Sequence, residues 1–460
     1  MKRDINFVNT RRQLCALVIG LACIGLLLTF VSAEPIPDPN VGLHQHQGTT
    51  VNTTTAQVPA QTGQVAVSAQ GVSRTSQVQT SAASGENNIS PIGINWLKCF
   101  GGSSSEGSRS LIPTSDGGYL FSGYTMSTDG DVTGNHGKYD YWVVKLNSTG
   151  IIEWQKCLGG SDTDGGVGVN QTADGGYLVC GYPYSSDGDV IGNHGYDDSW
   201  TVKLSGNGSV EWATCLGGTA HDWGWVDIQT SDGGYLIGGG TGSYDGNVTG
   251  MHGVYDAWIQ KLSTNGTLQW QKCLGGTKDD GANTVLQTSD GGYLAGGYVL
   301  SDDGDVTNNH GYYDAWIVKL NTTGAIEWQK TYGGSGDEDA RMVIHTDDGG
   351  FLFAGYTNST NGDVAGNHGD YDAWIVKINA TGTINWQKTY GGSGDDDAEA
   401  VIRTTDGGYL VSGYTNSNDG NVTGNHGGYD AWIIKIDATG NLKWQKTVGG
   451  TGDDDALTAA

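Results

Sequence analysis

Ala431-Trp432-Ile433-Ile434-Lys435-Ile436-Asp437, the turn Ala438-Thr439-Gly440, then Leu442-Lys443-Trp444-Gln445-Lys446-Thr447: the reading of this stretch decides the fold. Its first run is apolar on both pleat faces, as in a strand covered on both sides. Its second run breaks off at Gly449-Gly450. Upstream, Asp397 to Thr404 and Tyr409 to Thr415 read as two more strands around Thr405-Asp406-Gly407-Gly408. Asp-Gly and Gly-Gly supply the positive φ angles that tight hairpin turns need. A polar loop, 416–430, connects the second strand to the third.

This unit is copied along the chain. Trp96, Trp154, Trp212, Trp270, Trp328, Trp386 and Trp444 stand 58 residues apart each time, and Trp142, Trp200, Trp258, Trp316, Trp374 and Trp432 keep the same interval. The spacing gives six complete units and the opening of a seventh. Four antiparallel strands per unit, covered on both faces, make a β-propeller blade, and the long loop stretches the usual ~40–50-residue period. The expected fold is an all-β propeller of four-stranded antiparallel blades, six in number, with seven possible. Pairing of the N- and C-terminal segments through a redundant Trp-Gln-Lys strand (94–99) is expected to close the ring.

The run Asp372-Ala373-Trp374-Ile375-Val376-Lys377-Ile378, with Trp386-Gln387-Lys388-Thr389-Tyr390-Gly391-Gly392-Ser393-Gly394-Asp395-Asp396 and Asp406-Gly407-Gly408-Tyr409-Leu410, resembles the SBBP-type β-propeller repeat. The resemblance covers 94–460 and implies a propeller on a secreted or cell-surface protein of bacteria or archaea. It implies no shared catalytic residues.

Composition agrees with a soluble acidic surface. Glycine makes up 78 of 460 residues, and 50 Asp+Glu face 23 Lys+Arg for a net charge of −27. A chain this poor in cations lacks the electrostatic footprint of a nucleic-acid binder. Lys2, Arg3, Arg11 and Arg12 precede an apolar run from Leu14 to Val31, then Ser32-Ala33. Residues 1–33 therefore read as a secretory signal peptide, or as an uncleaved membrane anchor. Residues 34–93 are rich in Ser, Thr and Gln and read as a disordered linker or stalk. The propeller occupies 94–460, outside the cell, as an expected monomer that meets a membrane only through an uncleaved N-terminal segment.

Internal repetition separates scaffold from site. A residue present in every blade is most simply part of the blade. The acid ten places after each leading Trp (Glu106, Asp164, Asp222, Asp280, Glu338, Asp396, Asp454) reads as an acceptor for backbone N–H groups at a turn. His136, His194, His252, His310, His368 and His426 read as hydrogen-bonded loop residues. Cys99, Cys157, Cys215 and Cys273 share one strand position, where Thr replaces them later, and read as reduced and buried. The long loops allow a second reading beside Asx-turn closure: Asp303, Asp305 and Asp314 in blade four, and Asp129, Asp131 and Asp140 in blade one, are candidate Ca²⁺ ligands, since alternating carboxylates suit a hard cation.

Positions that vary between blades are the binding candidates. Thirteen after the leading Trp come Arg109, Val167, Trp225, Asn283, Arg341 and Glu399; nine after come Ser105, Thr163, His221, Asp279, Asp337 and Asp395. Blade three stands apart with His221-Asp222-Trp223-Gly224-Trp225, aromatic rings able to stack on sugars. The candidate ligand-binding set is therefore His221, Trp223, Trp225, Arg109 and Arg341. The expected function is non-enzymatic binding, adhesion or envelope scaffolding, with an extracellular glycan or surface protein as partner. The alternative is a polysaccharide-degrading propeller using carboxylates in its central cleft.

Overall fold

The computed structural model describes residues 14–21, 24–32 and 93–459, and among them there is no helix. Six four-stranded antiparallel sheets follow the repeat, each a simple meander. Blade one consists of β4 (Glu106–Pro113), β5 (Tyr119–Thr125), β6 (Asp140–Leu146) and β7 (Ile152–Leu158). The same order recurs from β8 (Asp164–Gln171), β12 (Asp222–Gln229), β16 (Asp280–Gln287), β20 (Glu338–His345) and β24 (Asp396–Arg403), the first strands of blades two to six. These first strands touch one another around the ring, so they form its innermost layer. The third strands are buried along their length, as their two-faced apolar sequence demands. Core packing runs from blade to blade: Leu236 and Ile259 of blade three meet Trp316 and Val318 of blade four.

Ring closure departs from the expected pairing. A seventh sheet has the order β28 (Asp454–Ala459), β2 (Ile24–Ser32), β1 (Leu14–Leu21), β3 (Gly93–Phe100). The terminal repeat fragments thus share a sheet without pairing with each other, and the apolar N-terminal segment stands between them as an antiparallel hairpin. A run of 18 apolar residues has the length for two strands as well as for a leader, and composition alone does not separate the two. No helix among the described residues is long and apolar enough to cross a membrane. The linker reading falls on 34–93, of which 34–92 lie outside the described residues.

Cysteine placement follows from this closure. Cys157, Cys180, Cys215 and Cys273 are free and buried, as expected. Cys99 is instead disulfide-bonded. The expectation of reduced cysteines considered only neighbouring blades, whereas β3 sits beside β1 with Cys99 opposite Cys15 in register.

One residue type was not anticipated. Lys145, Lys203, Lys261, Lys319, Lys377 and Lys435 lie in the apolar third strands, and each reaches the Asp of its own Asp-Gly-Gly turn at 2.7–3.0 Å. Lys203, only 1% exposed, also donates to the Leu204 carbonyl and to Glu211. The aliphatic stem packs inside the sheet while the ammonium reaches its edge. The turn Asp is therefore both a turn acceptor and a counter-ion: Asp116 Oδ1 takes the Gly118 N–H, and its Oδ2 takes Lys145.

Glycine is required where the second strand crosses the first. A Cβ on Gly355 would stand 1.9 Å from the Asp339 carbonyl oxygen, and Gly123 and Gly413 meet the same obstacle. The core Trp series is satisfied from the fourth strand: Trp142, Trp258, Trp316, Trp374 and Trp432 donate their indole N–H to a Gln at 2.8–2.9 Å. Blade two breaks this rule. Ala213 stands where the others have Gln, and buried Trp200 Nε1 has no partner. Ala213→Gln should therefore raise stability by about 1 kcal/mol, the net worth of one intramolecular hydrogen bond, read as a higher urea midpoint. An unchanged midpoint would mean that the indole already meets water.

Candidate binding site on the propeller axis

Each blade begins with a carboxylate that ties three segments together. Asp164 accepts the Gly160 N–H at 2.7 Å and the Ser185 hydroxyl at 2.8 Å. Asp222, Asp280 and Asp396 repeat this with Gly218 and Ser243, Gly276 and Ser301, and Gly392 and Ser417, while Glu338 takes Gly334 and Thr357. A second buried carboxylate from the preceding blade lies alongside. Around the Cβ position of Gly159 stand Asp164 Oδ2 at 2.6 Å and Asp140 Oδ1 at 3.0 Å, and Gly217 and Gly391 are flanked in the same way. In all six blades this second acid takes its loop His through Nδ1 at 2.5–2.7 Å. Its other oxygen has no hydrogen-bond partner.

The six candidate calcium ligands take part in hydrogen bonds of this kind. Asp129 and Asp303 accept the N–H groups of Ser103 and Thr277, each at 2.7 Å. Asp131 accepts the Gly101 N–H at 3.2 Å, and the Asp305 N–H donates to the Gly275 carbonyl. Asp140 and Asp314 are the acids engaged by His136 and His310. Among the described residues no group of three or more His, Cys, Asp or Glu is arranged to hold a metal ion.

The residues that break the copy gather on the inner strands. In every blade the pairing of first and second strands slips by one residue, and the extra residue is the one thirteen after the leading Trp: Arg109, Val167, Trp225, Asn283, Arg341 or Glu399. A bulge residue is free of the ladder, and its side chain can be re-aimed without disturbing the sheet. Five kinds of side chain thus occupy this one position in the six blades. The sequence marks these positions as variable; the register sets them inside the first strand of each blade.

Blade three is aromatic. His221 Nδ1 is held by buried Asp197, and the His221 ring stacks on Tyr196 at 4.8 Å and 20°. Tyr196 is 64% exposed. Trp225 is half-buried against Trp223 at 5.6 Å, and Trp223 packs on Tyr255 at 5.2 Å. Trp223 itself is only 2% exposed, so of the two Trp only Trp225 presents surface.

Blades five and six are charged. Arg341 lies over the Tyr356 ring at 5.2 Å, with Asp339 at 3.4 Å, Asp397 at 3.9 Å and Glu399 at 4.0 Å. Asn283 donates to Asp339 at 2.8 Å, and the Tyr414 hydroxyl donates to Asp397 at 3.0 Å. Burial, with the Glu399 charge beside it, pushes Asp397 up to about 8; burial raises Asp339 to about 6. Arg109 occupies the corresponding bulge of blade one.

No family model matches the chain. Regulatory protein FlaEY of Caulobacter vibrioides is 23% identical over 391 residues, a match covering 74% of this chain and 40% of that protein. The chain thus spans about two fifths of the length of the curated relative it matches. Among solved structures, Sqt1 from Chaetomium thermophilum is similar with a TM-score of 0.39 at 10% identity, covering 76% of this chain and 73% of that one. BamB from Moraxella catarrhalis is similar with a TM-score of 0.35 at 13% identity, covering 75% and 92%.

The two sets of repeated acids pull stability in opposite directions with pH. Burial raises Asp164 and Asp396 to about 6, so the folded state holds protons that the unfolded chain, with carboxyls near ~3.9, releases. Their contribution is whole below ~3.9 and is lost as pH rises through about 6. The turn acids behave conversely. Thr172 and then Lys203 hold Asp174 at about 2, and Thr288 and then Lys319 hold Asp290 at about 2, a contribution lost as pH falls from ~3.9 toward 2. The urea midpoint should therefore peak near pH ~4 and decline to a plateau above pH ~6, with a shallower decline in Asp164→Asn. A midpoint rising steadily to neutrality would contradict this assignment.

Proposed function

We propose that the protein is a non-enzymatic β-propeller of the SBBP type, secreted or held at the cell surface, that binds an extracellular glycan or surface protein on its axis. The observation that carries this reading is the set of six bulge residues. A scaffold copied at fixed spacing has no structural need for Arg, Val, Trp, Asn, Arg and Glu at one position, and a surface that reads one ligand with several chemistries does. Trp225, with His221 at the start of the same blade and Tyr196 from the long loop of blade two, supplies flat apolar area suited to a sugar ring or an apolar side chain. Export rests on the leader-like N-terminus. Cleavage after Ala33 would withdraw β1 and β2 from the seventh sheet, so N-terminal sequencing of the exported protein decides between leader and blade component.

A second reading has one observation in its favour. Asp397 keeps its proton to about pH 8 and so has one to give, as a general acid cleaving a bound polysaccharide must. Release of reducing ends from a glycan panel, abolished by Asp397→Asn, would establish it.

Binding is tested with the full chain on glycan and matrix-protein panels, with and without Ca²⁺. Trp225→Ala and Tyr196→Ala should each weaken the captured ligand by about tenfold or more, the range of an aromatic anchor. Equal binding by both variants would remove the axis from the function. Unchanged binding and stability in chelator would remove calcium.

A further inference from the structure

The copy-breaking residues are not spread evenly around the axis. At the positions nine, eleven and thirteen after the leading Trp, blades one to three carry Ser105, Thr163, His221, Gly107, Gly165, Trp223, Arg109, Val167 and Trp225. Blades four to six carry Asp279, Asp337, Asp395, Asp339, Asp397 and Glu399 at the same positions, with Arg341 as their cation. Blades four to six thus carry a crescent of carboxylates that blades one to three lack at these positions. Unlike the acids at the blade junctions, which recur in every blade, these are not required by blade geometry.

Their hydrogen bonds leave charge unmet. Tyr371 and Tyr429 donate to Asp337 and Asp395 at 2.9 Å, Asn283 donates to Asp339, and Tyr414 donates to Asp397. Three carboxylates share the one guanidinium of Arg341, and none lies closer to it than 3.4 Å. Asp397 is 4% exposed; its Oδ2 faces Arg341 and Tyr414, and its Oδ1 has no hydrogen-bond partner. A buried acceptor without a donor is costly. It is satisfied by a proton or by an incoming donor.

We propose that this crescent is a binding site for an organic cation, an ammonium or guanidinium group carried by a basic protein segment or a polyamine. Asp397 and Glu399 contact the cation, Asp339 adds charge beside them, and Arg341 is the internal cation that the ligand supplements. An ammonium or guanidinium brings the N–H donors that Asp397 Oδ1 lacks. Tyr414, partly exposed beside Asp397, adds an aromatic ring for it. The proposal rests on the axis being the ligand surface, and adds which chemistry the acidic half selects.

The experiment is calorimetric titration of the full chain with a tetralysine peptide and, separately, with spermine, at pH 7.5 in two buffers of different ionisation enthalpy. Saturable binding is expected, with protons released from the Asp397 group and appearing as a buffer-dependent enthalpy. Asp397→Asn and Glu399→Gln should each weaken it by about tenfold. Arg341→Met should strengthen it, which loss of structural integrity would not do; unfolding by near-ultraviolet circular dichroism identifies variants that have lost the fold. Binding of the peptide alone identifies a protein partner, and of spermine alone a free polyamine. No saturable binding to either probe, or binding indifferent to Asp397→Asn and Glu399→Gln, overturns the proposal, as does binding of Ca²⁺ in their place. Trp225→Ala separates the two readings: if it abolishes capture on the glycan and protein panels while the titration shows no cation binding, only the present inference fails.

Discussion

Everything in this propeller depends on a carboxylate buried where one blade hands over to the next. It accepts backbone N–H from the Gly-Gly connection and a hydroxyl from the long loop, and so fixes three segments that have no ladder between them. A neutral acceptor would make the same bonds at roughly half the strength. The cost is desolvation of an acid beside a second acid, Asp140 beside Asp164 and Asp372 beside Asp396, and it shows as carboxyls that burial pushes up to about 6 in Asp164 and Asp396. Most of the chain's acidity therefore belongs to joints and turns, with Lys145 and its five counterparts balancing the turns from inside the sheet.

Most of the blade was legible in the sequence because its determinants are local. The spacing of Trp, the two-faced apolar third strand and the Asp-Gly-Gly turn each report within a few residues what the backbone does. What escaped were matters of register and of distant partners. That Trp225, Arg341 and Glu399 sit on bulges follows only from which residues face each other across two strands. The Lys–Asp pairs join residues 29 apart in sequence, as Lys203 and Asp174 do. Nor does composition reveal that the loop acids Asp129 and Asp303 accept N–H groups from the Gly-Gly connection. The apolar N-terminal segment carries a leader's pattern and a hairpin's length together.

The inner layer combines two chemistries that break the repeat. An aromatic wall on blade three and an acid-rich crescent on blades four to six use the same three positions of the same strand. At the last of these positions, thirteen after the leading Trp, the bulge explains the tolerance, since a residue outside the ladder changes at little cost to its neighbours. Diversity has therefore accumulated where the scaffold is indifferent to it, while Gly355 and its counterparts, against a carbonyl oxygen, hold the crossing of the strands fixed.

The meander within each sheet has a kinetic consequence. All strand pairs in the six repeat blades join neighbours along the chain, so each blade assembles through short loops. The seventh sheet alone unites segments from opposite ends of the sequence, Asp454–Ala459 with Ile24–Ser32 and, through the hairpin, with Gly93–Phe100. The largest single loop-closure cost among the described strand pairs falls on that one event. The order of folding is then expected to run along the chain as the blades emerge, with an open spiral of finished blades waiting on a single, slow and reversible final clasp.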